Sequence, residues 1–90
     1  MTREEVELSL VAAGWEIAER SSPHLIVGCS GILSILAYEF LTRTEDPKFE
    51  LRDSNWAVSY WVRVIPSPRV AAVLLEEHGE PLLAGERDSA

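Results

Sequence analysis

The chain has 90 residues, of which 47% are hydrophobic and 26% charged, with one cysteine and a formal net charge of −7. That is the size of one domain with one core, too small for a second lobe or a deep multi-part active site, and the lone Cys29 excludes an intrachain disulfide framework. Residues 1–19 and 76–90 each carry five acids and one base, whereas 20–75 carries five acids and six bases; the acidity therefore belongs to the two ends, where it weakens long-range attraction to phosphate backbones without describing the middle.

The first element is a helix over 3–13. Thr2 and Glu5 form a capping box, Glu4 and Glu5 lie in the first turn where the helix dipole favours acids, and Val6, Leu10 and Ala13 recur on one face. Gly14 sits where a left-handed cap is wanted. The opening Met-Thr-Arg-Glu-Glu-Val-Glu lacks the basic start and apolar run of a signal peptide.

Residues 15–20 alternate as a half-buried strand and 24–29 form a short apolar run. Ser30-Gly31 then predicts a tight hairpin turn into a strand over 32–42. Leu33, Leu36, Ala37 and Leu41 would also suit a helix over 31–43 capped by Ser30, but Ser-Gly lies between two apolar runs and the strand is preferred. The stretch Ser21–Tyr38 carries no Asp, Glu, Lys or Arg over 18 residues, yet Pro23, His24, Gly28, Ser30, Gly31 and Ser34 interrupt it too often for a bilayer span.

Glu45-Asp46-Pro47 breaks the strand, Phe49-Glu50-Leu51 alternates again, and Asp53-Ser54-Asn55 turns into a strand over 57–65. The last helix covers 68–78. Ser67 is its N-cap, Pro68 takes its first position, Val70, Ala71, Val73 and Leu74 form its apolar stripe, and Gly79 and Pro81 stop it. Residues 84–90 form an expected disordered tail without a lipidation box.

These elements predict a single α+β domain over 1–83: an antiparallel sheet of four or five strands framed by an N-terminal and a C-terminal helix, in the order α-β-β-β-β-β-α. In outline, an α-β-β-β-α order resembles the double-stranded-RNA-binding domain. The resemblance is topological, because the basic start of that family's last helix shrinks here to Arg69, and no residue role is carried over.

Simple four-residue turns make the faces explicit. A turn at 53–56 pairs Leu51 with Val58, Phe49 with Tyr60 and Lys48 with Trp61. A turn at 44–47 pairs Phe40 with Leu51, Leu41 with Glu50 and Glu39 with Arg52. One face then carries Leu36, Tyr38, Phe40, Phe49, Leu51, Val58, Tyr60, Val62 and Val64, a core for the helices to cover. The other carries Leu33, Ile35, Ala37, Leu41, Trp61 and Ile65 among Glu39, Lys48, Glu50, Arg52, Ser59 and Arg63. So much apolar area on a second face means that something covers it: one of the two helices, a curled sheet, or another chain.

Trp61 with Arg63, Arg52 and Lys48 is the one aromatic-plus-basic cluster, and Leu33, Ile35 and Leu41 surround it in this register. Tryptophan and arginine dominate protein interfaces; aromatic plates with cations also hold single-stranded nucleic acid. Cys29, in Val-Gly-Cys-Ser-Gly, would need a base such as His24 or His78 to act as a nucleophile, and a strand puts His24 and Cys29 on opposite faces. Those three side chains show no Cys-x-x-Cys or His-x-x-x-His spacing, so no metal is expected. The adjacent pairs Glu76-Glu77 and Glu45-Asp46 are solvated charges and do not converge as an acid and a base would. No Walker loop, dinucleotide fingerprint or hydrolase motif occurs, and no cofactor is expected.

The expected role is a small, acidic, cytoplasmic, non-enzymatic interaction or assembly module. It would engage a protein partner or a second copy through the sheet face around Trp61, with neither nucleic acid nor membrane as partner. The alternative is a ligand or single-stranded nucleic-acid platform on the same face. A cysteine-dependent enzyme using Cys29 stands third.

Overall fold

The computed structural model describes residues 1–81, in the order α1 (Arg3–Ala13), β1 (Glu16–Ile17), β2 (Leu25–Ser30), β3 (Leu33–Tyr38), α2 (Glu39–Thr42), β4 (Phe49–Arg52), β5 (Val58–Val62), α3 (Pro68–His78) and β6 (Glu80–Pro81). Both long helices begin and end where their caps dictate. Thr2 Oγ1 accepts from the Glu5 amide while the Glu5 carboxylate accepts from the Thr2 amide, and Gly14, at φ 111°, closes α1. Ser67 Oγ accepts from the Val70 amide, and Gly79 follows α3.

All six strands join one antiparallel sheet in sequence order, one strand more than expected because the chain returns after α3 and lays Glu80–Pro81 beside Val58–Ser59. The fold is α+β, with helices at both ends of the strand-bearing chain. The expected tail over 84–90 lies outside the described residues.

The β2–β3 hairpin is the tightest part of the sheet. Ser30 pairs with Leu33, so the turn is Gly31-Ile32 and not Ser30-Gly31. Gly31 at φ 60°, followed by a residue without positive φ, is the type II′ pattern that matches strand twist.

After Tyr38 the chain leaves the sheet. The expected strand over 32–42 ends there, and Glu39–Thr42 winds into one helical turn. Local bonds make that turn: Arg43 donates to the Glu39 carbonyl through its amide and to the Glu39 carboxylate through its guanidinium, Thr42 Oγ1 bonds the Glu39 carbonyl, and Thr44 Oγ1 bonds the Leu41 carbonyl. The helical and strand patterns of 31–43 thus each describe a part of it.

That turn changes the register. β3 meets β4 as Ser34–Arg52, Ile35–Leu51 and Leu36–Glu50. The expected pairs Phe40–Leu51, Leu41–Glu50 and Glu39–Arg52 are displaced by an odd number of residues, which moves every side chain of β3 to the opposite face. At the next turn the displacement is even: Leu51 meets Tyr60 and Phe49 meets Val62, two residues from expectation, and the faces survive. Asp53 builds this wider loop, its carbonyl accepting from the Trp56 amide and its carboxylate from the Ala57 amide.

Leu33 and Ile35 therefore belong to the helix-covered face and not to the face of Trp61. Ile35 is fully buried, and Leu33 packs at the core's edge. Val6 and Leu10 of α1 and Ala71 and Leu75 of α3 share one cluster with Ile26, Ile35, Ala37, Phe49 and Leu51, so both helices cover the same side of the sheet. Trp15 is buried beside them and its indole N–H donates to the Pro66 carbonyl at 2.7 Å, tying the end of α1 to the start of α3. Of the expected core face, Leu36 and Tyr38 turn to the outer side, and Phe40 and Val64 lie exposed.

Gly28 permits the close packing of Trp15 and Ile35 against β2. A Cβ there would stand 2.8 Å from Ile35 Cγ2 and 3.2 Å from Trp15 Cβ, neither of which is a flexible side-chain end. We expect Gly28→Ala to destabilise the fold by about 1–3 kcal/mol through overpacking, read as a lowered urea midpoint at unchanged slope. An unchanged midpoint would mean that Ile35 and Trp15 give way without cost.

Candidate functional site

The outer face holds a buried carboxylate. Glu50 lies between Leu36 and Trp61 in the sheet, and its side chain is only 4% exposed. One oxygen accepts the Tyr38 hydroxyl at 2.6 Å and the other meets Arg52 at 2.9 Å. Removing a carboxylate from water demands such partners. Arg52 is held in turn by Trp56, whose ring lies 4.4 Å beneath the guanidinium. Trp56 takes a left-handed φ of 56° to reach that position. The Arg52 Nε is buried without a hydrogen-bond partner among the described residues. Burial first, and then the Glu50 carboxylate that accepts its proton, push Tyr38 up to about 12.

Tyr38 is also the middle of an aromatic row, with ring centroids 5.8 Å from Phe40 and 5.9 Å from Trp61. Trp61 marks the rim of a groove of about 930 Å³ that wraps around the end of β5. Leu41 and Lys48 bound it on the sheet side, Tyr60 to Val64 form its floor, and Pro66, Val70 and Leu74 form its helix side. Val64, Val70 and Trp61 are 78%, 49% and 43% exposed. Side chains this apolar and this open, lying side by side, are the kind of patch that marks a contact surface.

The groove exists because β6 is short. Pro81 has no N–H, so Val58–Pro81 cannot be a doubly hydrogen-bonded pair, and Ser59–Glu80 must be. Ser59 therefore turns its backbone groups towards β6, and by alternation Tyr60 turns towards β4 and Trp61 towards the same side as Ser59. The Glu39 amide bonding the His24 carbonyl and the Ala18 amide bonding the Val27 carbonyl obey the same parity across the sheet. Beyond Ser59 no strand stands beside β5 among the described residues, and Trp61 presents an open backbone edge.

The structure thus brings Trp61, Arg63, Lys48 and Leu41 to one groove. Arg52 faces the same side of the sheet but is engaged with Glu50 and Trp56, while Leu33 and Ile35 face the core. Arg63 pairs with Asp46 at 3.2 Å, both well exposed, which makes the pair worth little energetically. Sequence reasoning missed Tyr38 and Glu50 as partners, and Val64, Pro66, Val70 and Leu74 as the groove. Val70 and Val73, expected in the inward stripe of α3, are exposed, and Ala71 and Leu75 make the buried contact instead.

Cys29 lies on the outer face between Glu16 and Ser34. His24 is engaged by Glu39, and that bond, followed by Arg43, holds the Glu39 carboxyl below the usual carboxylate range. His78 stacks on Tyr60 at 5.7 Å. No hydrogen bond joins either histidine to Cys29 among the described residues, and no three His, Cys, Asp or Glu side chains there come together as metal ligands. No helix among the described residues is long and apolar enough to cross a membrane. The chain matches no protein-family model, no curated protein and no solved structure.

Two outcomes follow from the buried carboxylate. Arg52→Met strands Glu50 and should cost about 3 kcal/mol, while adding Glu50→Met should return most of it; equal losses in the single and double variants would deny the coupling. Tyr38 keeps its proton to a higher pH in the folded state than in the unfolded one. Its contribution is therefore complete below pH 10 and is lost as pH rises through about 12. Absorbance titration should find a tyrosine ionising near pH 12 that Tyr38→Phe removes, and its persistence in that variant would refute the assignment.

Proposed function

We propose that this chain is a small cytoplasmic, non-enzymatic interaction or assembly module whose working surface is the groove at the open end of β5, centred on Trp61. The observation that carries the proposal is the conjunction of a strand edge without a partner among the described residues with exposed Trp61, Val64 and Val70 around it. An edge and an apolar patch are each tolerated alone; together they are what a partner strand needs. Arg52 is committed to the buried Glu50 carboxylate and the Arg63 charge is offset by the neighbouring Asp46, which leaves little net positive charge for a phosphate backbone and favours a protein partner.

The aromatic row Phe40–Tyr38–Trp61 supports a second reading, a stacking platform for single-stranded nucleic acid. The two readings part on salt. Oligonucleotide binding would quench tryptophan fluorescence and weaken steeply as salt rises, whereas the module should show no such quenching.

Affinity capture with wild type, Trp61→Glu and Leu8→Glu tests the surface itself. Leu8 is exposed on α1, so its variant controls for general stickiness. Trp61→Glu should lose proteins that wild type and Leu8→Glu both retain. Identical retention by all three would dismiss the groove.

A further inference from the structure

We infer that the occupant of the open β5 edge is an extended segment of another protein, two apolar residues next to an acidic one; this rests on the proposed working surface and names its partner's chemistry. The groove does not lie on one face of the sheet. It wraps the edge of β5, with Leu41 and Lys48 on the sheet side and Val70 and Leu74 on the helix side. A helix presents one stripe to a surface and would fill one half of such a groove. An extended chain sends alternate side chains to opposite sides and fills both.

The backbone sets the register. β6 holds the edge as far as Ser59, and β5 ends at Val62, before the bend at Arg63. Among the described residues, Trp61 is thus the one position of β5 whose amide and carbonyl stay open outward, enough for one pair of bonds to an added strand. So short a ladder leaves selection to side chains. Paired residues share a side, so the residue set against Trp61 lies over the exposed indole. Glu80 holds the adjacent rung of that side, opposite Ser59, and repels a carboxylate there, so an apolar side chain suits the position. Its neighbour points to the helix side, where Val64 and Val70 are exposed, and is apolar as well. The third residue returns to the side of Trp61, at the end where Lys48 and Arg63 lie.

Charge decides that third residue. Arg63 is offset by Asp46 at 3.2 Å, whereas Lys48 is exposed and enters no ion pair among the described residues. One uncompensated cation suits one carboxylate and is too little for a row of phosphates. A second copy would bring the same cations to the same seam. The net charge of −7 opposes an acidic ligand at long range, so the carboxylate acts at contact and selects, while the two apolar residues supply most of the affinity.

Two dye-labelled, end-blocked peptides test this by fluorescence polarisation, Gly-Ser-Leu-Val-Glu-Ser-Gly and the reversed order Gly-Ser-Glu-Val-Leu-Ser-Gly. One of them should bind saturably, with a dissociation constant below about 1 mM, and Trp61→Glu should abolish it. Exchanging its glutamate for lysine should weaken binding about threefold or more, and Lys48→Glu should reverse that preference. N-methylation of its leucine, which removes the amide that meets the Trp61 carbonyl, should weaken binding about tenfold. Failure of both peptides to bind overturns the extended acidic segment, as does an unchanged preference in a Lys48→Glu variant that circular dichroism shows to be folded. The wider module reading then still stands or falls on the capture experiment. A concentration-dependent dimer that Trp61→Glu dissolves would overturn the inference in favour of a second copy, and tighter binding of oligothymidylate than of either peptide in favour of nucleic acid.

Discussion

The arrangement of this molecule depends on the two-residue turn at Gly31-Ile32. In an antiparallel hairpin the turn decides which residues face one another, and therefore which side every later side chain occupies. With Ser30 opposite Leu33, β3 sends Ile35 and Ala37 towards the helices and Leu36 and Tyr38 away from them. β4 inherits that parity through Ile35–Leu51, and β5 through Leu51–Tyr60. The burial of Phe49, the position of Glu50 and the outward Trp61 backbone are all downstream of one glycine with a positive φ.

The inner side is an ordinary apolar core closed by two helices. The outer side is built differently. Val27 and Leu36 are buried there although they lie outside the helix-covered cluster, and beside Leu36 the side chains of Tyr38, Glu50, Arg52 and Trp56 hold one another. A buried carboxylate contributes little net stability compared with a packed hydrophobe, but it punishes any arrangement that leaves it unpaired. Here it ties β3, β4 and the following loop into one geometry, and so holds Tyr38 and Trp61 in the aromatic row. Rigidity at that site lowers the entropy cost of binding on it.

Much of this was legible in the residues. Thr2-x-x-Glu5 and Ser67-Pro68 announced both helices because capping is local chemistry, decided within a turn of chain. Ser-Gly between apolar runs announced the hairpin. The face assignment of β3 was not legible, because it required counting residues across a connection that winds into a helical turn. Strand parity is lost once Glu39–Thr42 adopts helical dihedrals, and the bonds that favour the turn come from distant groups as well as local ones: His24 holds Glu39, and the N-terminal ammonium donates to the Thr42 carbonyl at 3.2 Å. Trp61, Arg63, Lys48 and Leu41 reached one groove because the error at the β4–β5 turn was even, and Leu33 and Ile35 did not because the error at the β3–β4 connection was odd.

The two flanks of the sheet are finished unequally. Beside β2 the chain lays down only Glu16–Ile17 and then substitutes a side chain for a strand: the Ser21 hydroxyl accepts from the Val27 amide at 2.8 Å and donates to the Val27 carbonyl at 3.2 Å. The Ala18 amide also bonds the Val27 carbonyl, and Ser22 exchanges backbone bonds with Leu25. The backbone groups on that side of β2 are thus met by a short strand and a looping segment, and a partner strand finds fewer free groups beside β2 than at the end of β5.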